Sequence, residues 1–305
     1  MPVDALLSYL KDKSADGCLE YHENYPLAPV SSFKIGGNAD LAIYPNSTEQ
    51  LISVVCELRK LNVRYVVIGN ATNVLFADAG YRGAVVFTTK LRGISIDGNL
   101  ITADCGVPLI TLSVFAQKHG LDGLAFAYGI PGTVGGAVYM NAGAYEGEMK
   151  QVVSTVTFCD PSTGEIKTRS GNENEFGYRH SYYSDKDLII LSTTIDLKKA
   201  ESPEAVKALM DEHMKARNAK QPLEYPSAGS TFKRYPGYYT AKLIEEAGLK
   251  GYSIGGAKVS EKHAGFVINT GGASAADVLA LIDHIKAEIF RLVGINIECE
   301  VRYIE

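Results

Sequence analysis

The sequence predicts an α+β fold, and three observations carry that reading. A helix-period segment, Thr48–Leu61, leads into the apolar run Arg64–Gly69, a helix-then-strand unit that ends at a glycine loop. Strand-like segments then come in pairs joined by turn residues, Gly93–Asp97 with Asn99–Asp104 and Val152–Cys159 with Glu165–Thr168. The chain closes on a long amphipathic helix, Ser274–Val293, and a last strand, Ile295–Ile304. With 305 residues, 46% hydrophobic and 21% charged, it has material for two or three domains of ordinary core.

Taken in order, Val3–Lys13 reads as a short amphipathic helix, a lid or a packing element. Gly36 and Gly37 make a turn before a strand at Ala39–Tyr44. Thr48 reads as the capped start of a helix with Leu51, Ile52, Val55 and Leu58 on one face. Arg64–Gly69 reads as a buried strand and Ala84–Thr88 as another. Pro108–His119 is a helix with proline at its start. Leu188–Leu197 is a strand, and the charged stretch Lys198–Ser202 marks a domain boundary. Pro203–Asn218 and Ala241–Ala247 are helices, the second closed by Gly248 as the long one is by Gly294.

Two segments call for chemistry. Gly69–Gly83 follows a strand and opens Gly-Asn-Ala-Thr-Asn, which resembles a phosphate-cradling turn, although it has neither the GK[ST] of a Walker loop nor a GxGxxG. An Asn-rich surface turn would look similar. Gly123–Tyr145 runs 23 residues without a charged side chain, long enough to raise a membrane span. Its glycines, Pro131 and Asn141 would break such a helix repeatedly. Composition leaves two readings open: backbone passing close to other backbone in a tight turn, or close to a large flat ligand with a phosphate tail.

Other classes are disfavoured. A net charge of −5 argues against broad nucleic-acid binding and suits a soluble cytosolic protein. No secretory leader is evident. Five scattered cysteines, without CxxC or HExxH spacing, indicate neither a disulfide framework nor a metal site.

The motifs SSFKIGGNAD, VIGNATNVLFADAGYRG, GIPGTVGGAVYMNAGAYEGE, FGYRHSYYS, PSAGSTFKR, IGGAKVSEKHAGFVIN and EVRYI occur in that order. Together they resemble the UDP-N-acetylenolpyruvoylglucosamine reductase (UDP-N-acetylmuramate dehydrogenase) family over nearly the whole chain, in its compact second type. The resemblance implies a two-part FAD-binding region plus a C-terminal α+β substrate-binding domain. Residues 1–86 with the strand near 298–305, and 87–199, would hold non-covalent FAD, and 200–297 would close over a nucleotide sugar. It implies reduction of the enolpyruvyl group of UDP-N-acetylglucosamine enolpyruvate by NADPH through FAD. That places the chain in cytoplasmic peptidoglycan precursor synthesis, hence cell wall biogenesis, cell shape and cell division. Neither nucleic acid nor membrane is an expected partner, and a monomer or weak oligomer is expected. The alternative, another FAD-dependent oxidase on the same fold, would want a covalent flavin attachment, and no histidine lies in Lys34–Gly83.

Residue by residue, the resemblance assigns FAD contacts to Gly69, Asn70, Ala71, Thr72, Asn73, Gly129, Gly132, Thr133, Gly135, Gly136, Asn141 and Gly143. The family turn is richer in glycine with Ser before Asn; here Asn70, Ala71 and Thr72 stand there, and Thr72 keeps a hydroxyl. Hydride addition at C3 leaves a carbanion at C2 that must be stabilised through the carboxylate and protonated. Ser230 would donate that proton, Arg179 would grip the carboxylate with its planar fork, and Glu300 would polarise it from the last strand, kept neutral by burial. Without the family, Ser230 is an ordinary turn serine and Arg179 a surface salt bridge. Glu300 would then pair with Arg302 or Arg291, and Glu298 is the second-choice carboxylate. Tyr178, Lys220, Lys233 and Arg234 are the expected substrate contacts, with Tyr183, Tyr238 or Tyr239 against the uracil.

Overall fold

The structure, a computed structural model, describes residues 2–14 and 19–305; Cys18 lies outside them. The chain divides into two compact units, residues 1–23, 41–70 and 83–215 in one, and 24–40, 71–82 and 216–305 in the other.

In the first unit the N-terminal helix, Pro2–Ser14, is a packing element: Leu6 and Leu10 are fully buried in a core shared with Leu51, Val54, Val55 and Leu58 of the helix Thr48–Lys60. That second helix is capped by Ser47 rather than Thr48. Ser47 takes extended backbone, and its Oγ accepts the Gln50 N–H at 3.3 Å. The strand Tyr65–Ile68 lies in parallel register with Tyr81–Phe87, Tyr65 opposite Ala84 and Ile68 opposite Phe87. It is an edge strand of its four-stranded sheet, so only Ile68 is buried, where the apolar run had suggested burial throughout. The expected hairpins form a five-stranded antiparallel sheet in the order Glu165–Ser170, Val153–Asp160, Ile189–Asp196, Leu100–Asp104, Ile94–Asp97.

The glycine-rich stretch departs from expectation. A helix, Val134–Tyr139, runs straight through Gly135 and Gly136. The propensity cost is overridden by close packing: a Cβ on Gly135 would stand 2.9 Å from the Cβ of Cys105. That approach lets Gly135 donate to the Cys105 carbonyl at 2.8 Å and Val134 to Val107 at 2.9 Å.

In the second unit the helix Ala275–Val293 buries Val278, Leu281, Ile282, Ile285 and Ile289, the expected stripe. Ser274 and Asp277 form a reciprocal capping box, and the Asp78 carboxylate accepts the Ala275 and Ala276 N–H groups at 2.7 and 3.0 Å. Gly294, at φ +69°, ends the helix. The loop after Gly69 contains an unexpected strand, Val74–Phe76, parallel to Arg302–Ile304. The last strand is accordingly shorter than Ile295–Ile304. Ile295 and Ile297 fill the core of this unit without joining a ladder, and Glu300 precedes the strand instead of lying in it.

Candidate active site

In the second unit, Ser230 follows Gly229, which stands at φ +78° with open space where a side chain would be. Ser230 is exposed, and its neighbour Thr231 is 1% exposed and held on three sides. The Thr231 N–H donates to the Gly265 carbonyl at 2.8 Å, and its Oγ1 accepts the Val267 N–H at 3.0 Å. Its own carbonyl accepts the Glu300 N–H at 2.8 Å. The pairing continues through the Phe232–Cys299 bridge and the Lys233 N–H to the Glu298 carbonyl at 2.9 Å. Asn73 closes the group, its Nδ2 donating to the Glu300 carbonyl at 3.2 Å and its carbonyl accepting from Arg302 at 3.0 Å. Asn73, Ser230 and half-buried Glu300, far apart in sequence, are thus fixed by one backbone network.

The cations expected to meet substrate are not equal. Lys233 Nζ lies 3.0 Å from Glu298 Oε2, so each offsets the other's charge. The helix expected to end at Asn218 runs to Lys220, which is exposed at its last turn. Arg234 lies over the Tyr239 ring, 5.1 Å to the centroid, and Tyr238 and Tyr239 are both well exposed. Tyr183, named for the uracil, is ruled out: it is 0% exposed and donates its hydroxyl to Asn174 Oδ1 at 2.8 Å, inside the first unit.

In the first unit, Arg179 sits at φ +53° at the tip of a tight turn whose ends, Gly177 and His180, exchange backbone hydrogen bonds of 2.9 and 3.3 Å. Its Nη2 donates to the Gly143 carbonyl at 3.3 Å, and its guanidinium lies 5.0 Å from the centroid of the Tyr178 ring. Asn141 fastens the turn. It is 0% exposed, and its Nδ2 donates to the Gly177 carbonyl at 2.9 Å and to Glu148 Oε2 at 2.8 Å. Its Oδ1 accepts the Lys150 N–H at 2.9 Å. Ser181 and Ser184 add two hydroxyl bonds to the Tyr139 carbonyl, 2.8 and 2.7 Å.

The same stretch meets the phosphate-like turn. Asn70 Nδ2 donates to the Pro131 carbonyl at 2.8 Å, and a Cβ on Gly69 would overlap the Thr133 Oγ1. Gly143 is equally confined, since a Cβ there would stand 2.8 Å from Glu148 Cβ. Gly136 differs: it is exposed, and a Cβ would meet only Thr133 Oγ1, at 3.6 Å. Both readings of the glycines therefore have members. Gly69, Gly135 and Gly143 serve protein packing, whereas Gly136 leaves an open face.

A family model described as the C-terminal domain of UDP-N-acetylenolpyruvoylglucosamine reductase matches residues 221–304, and one described as an FAD binding domain matches 39–170. The reductase of that name from Pediococcus pentosaceus is 44% identical over 92% of this chain and 93% of its own. This chain belongs to the UDP-N-acetylenolpyruvoylglucosamine reductase family. The Caldanaerobacter subterraneus reductase is 45% identical over 99% of this chain and 98% of its own length. The crystal structure of the Thermus caldophilus reductase superposes with a TM-score of 0.80 at 31% identity, covering 94% of this chain and 99% of that one.

The residues fit the FAD of a reductase in this family. Segments 69–73 and 129–143 carry no charged side chain, and their glycines, asparagines and threonines offer main-chain N–H, carboxamide and hydroxyl donors, the set a pyrophosphate needs. Ala71 stands at φ +50°, the left-handed conformation that curls successive N–H groups into an anion-accepting concavity. Thr231 and Glu148 lie inside the sequence motifs, yet no sequence signal singled them out. Val267, the partner of Thr231, comes from another motif; Asn141, the partner of Glu148, is seven residues away in the same one, and the fold brings each pair within hydrogen-bond reach.

Proposed function

We propose that this chain reduces UDP-N-acetylglucosamine enolpyruvate to UDP-N-acetylmuramate with NADPH, an FAD-dependent step of peptidoglycan precursor synthesis. The observation that carries the reading is likeness to reductases of this name along more than nine-tenths of the chain. Bound FAD supplies the two-electron relay between NADPH and the enol ether. The protein's part is binding, orientation and charge.

Ser230 is the proton donor to C2. It is presented on a backbone that Thr231 immobilises, and a serine hydroxyl needs a positive field to act as an acid. Arg179 supplies the fork for the carboxylate, whose charge grows as C3 receives hydride. Glu300 polarises that carboxylate. Lys220 and Arg234 serve the diphosphate, Tyr178 is a further substrate contact, and Tyr238 and Tyr239 are the remaining uracil candidates. Lys233 also serves the diphosphate, after exchanging its bond to Glu298 for one to phosphate. FAD is held by residues 69–73 with Gly129, Gly132, Thr133, Gly135, Gly136 and Gly143, by main-chain and hydroxyl donors and, at Gly135, whose own N–H goes to Cys105, by close approach of the backbone. Residues 1–86 and 298–305, 87–199, and 200–297 are the three functional regions, and the enzyme works in the cytoplasm as a monomer or weak oligomer. Among the described residues no helix is long and apolar enough to cross a membrane.

The deciding experiment is anaerobic NADPH consumption by FAD-loaded protein, with and without the enol ether. Consumption stoichiometric with the enol ether is expected, with almost none in its absence. A flavoprotein that takes one hydride per flavin and then stalls with the enol ether present would overturn the substrate assignment. Ser230→Ala tests the acid. Flavin reduction by NADPH should persist while enol ether reduction falls by about 10²- to 10⁴-fold; loss of both half-reactions together would remove Ser230 from this role.

A further inference from the structure

The glycine-rich stretch and the Arg179 turn share one polar centre, the carboxamide of Asn141. We propose that Asn141 is a positioning residue for Arg179: through Gly177 and Glu148 it sets the turn that presents the guanidinium to the substrate carboxylate. The inference rests on the assignment of Arg179 above.

Three observations carry it. First, the carboxamide is fully buried and all its main valences are used inside the protein: both Nδ2 bonds go to Gly177 and Glu148, and Oδ1 takes Lys150. The family resemblance implied a cofactor contact for Asn141, and these bonds give its side chain a different task. Second, the Gly177 carbonyl it holds opens the tight turn, and Arg179 at its tip keeps a left-handed backbone that an L side chain adopts only when its surroundings enforce it. Third, the same segment meets the guanidinium itself, since Arg179 Nη2 donates to the Gly143 carbonyl two residues beyond Asn141. Backbone and side chain of Arg179 are therefore referenced to one short segment. Asn141 itself stands at φ +42°, where asparagine is among the few residues tolerated. An aspartate there would be isosteric but would face the Glu148 carboxylate with no donor to offer it.

The consequence is specific to one half-reaction. The test compares Asn141→Asp, Arg179→Lys and the double variant by stopped-flow, with flavin content and apoprotein melting measured alongside. For Asn141→Asp, reoxidation of the reduced enzyme by the enol ether should slow by about 10²-fold, the cost of a misplacement on the order of 1 Å. Flavin content and reduction by NADPH should stay as in the parent, and the substrate concentration for half-saturation should change far less than the reoxidation rate, because the arginine binds most strongly the charge added to the carboxylate as C3 receives hydride. The double variant should be no slower than Arg179→Lys, since the two act as one unit. Additive losses, or a loss confined to flavin content, would overturn the positioning role. Should Asn141→Asp not fold, Glu148→Ala removes one of the two Nδ2 anchors and should show the same selective, non-additive loss at smaller size; a normal reoxidation rate in it would overturn the proposal. If Arg179→Lys by itself leaves reoxidation unchanged, the assignment of Arg179 fails, and this inference with it.

Discussion

Single residues separate the two jobs of glycine in this chain. Gly136 is exposed, lies inside a helix and has ordinary van der Waals space for a Cβ. Gly136→Ala should therefore leave the apoprotein as stable as before or more so, by up to about 1 kcal/mol of helix propensity. It should also weaken FAD binding, read by flavin titration against apoprotein melting. Unchanged FAD affinity would place the open face away from the cofactor. Ala71 is the converse case. It is buried and left-handed, a conformation that favours glycine, and its carbonyl is held by the Ser32 N–H at 3.2 Å. Ala71→Gly should relieve about 1 kcal/mol of backbone strain, offset in part by the entropy glycine adds to the unfolded chain. A melting temperature that falls would mean the strain is already compensated. Cys105, against Gly135, is held as a neutral thiol by burial, its pKa pushed up to about 12.

At the scale of elements, the turn between the strands Ala257–Val259 and Val267–Asn269 carries a titratable brace. His263 Nδ1 accepts the Gly265 N–H at 3.1 Å, and the Gly265 carbonyl accepts the Thr231 N–H beside Ser230. Burial holds the His263 pKa below its ordinary value; the Lys250 charge adds to that effect and Glu245 opposes it. The folded state thus binds fewer protons than the unfolded chain once pH drops below the ordinary histidine value of about 6.5. Stability falls as pH falls through that value and levels off below the folded pKa. His263→Asn keeps an acceptor two residues before Gly265 without a titrating group, so its melting temperature should vary less between about pH 7.5 and 5.5 than the parent's. An equal slope would assign the acid sensitivity elsewhere. Elements also show what was legible in the sequence. The helix Ala275–Val293 announced itself by a continuous stripe and by Ser274 and Gly294 at its ends. The helix at Gly135 did not, because Gly135 answers a contact with Cys105 that no local pattern records. The strand Val74–Phe76 is three residues long and owes its existence to Arg302–Ile304 at the other end of the chain. The site follows the same rule: motifs named Ser230, Glu300 and Arg179, and Asn141 as a cofactor contact, while the bonds of Thr231 to Glu300 and of Asn141 to Gly177 needed the fold.

For the whole molecule, the consequence of this long-range pairing is that the C-terminal part, although matched as a domain in its own right, is not a self-sufficient one. Its core takes Phe33, Ile35 and Leu75 from segments 24–40 and 71–82, all three at most 2% exposed. Burying three such side chains is worth about 5 to 9 kcal/mol, as large as the net stability of a typical domain. The same segments supply Asp78 at the start of the long helix, the Phe33 carbonyl that accepts Asn269 Nδ2 at 3.1 Å, and the only partner strand recorded for Arg302–Ile304 among the described residues. A fragment comprising residues 200–305 should therefore show no cooperative transition in urea and little amide protection, whereas the intact chain protects the helix Ala275–Val293 strongly. The effect should come from the missing contacts, so Phe33→Ala in the full chain should selectively raise exchange in that helix and in Val267–Asn269. A cooperative fragment would mean that the Val278, Leu281, Ile282, Ile285 and Ile289 stripe closes a core without its borrowed residues, and the C-terminal part would then be an independent folding unit.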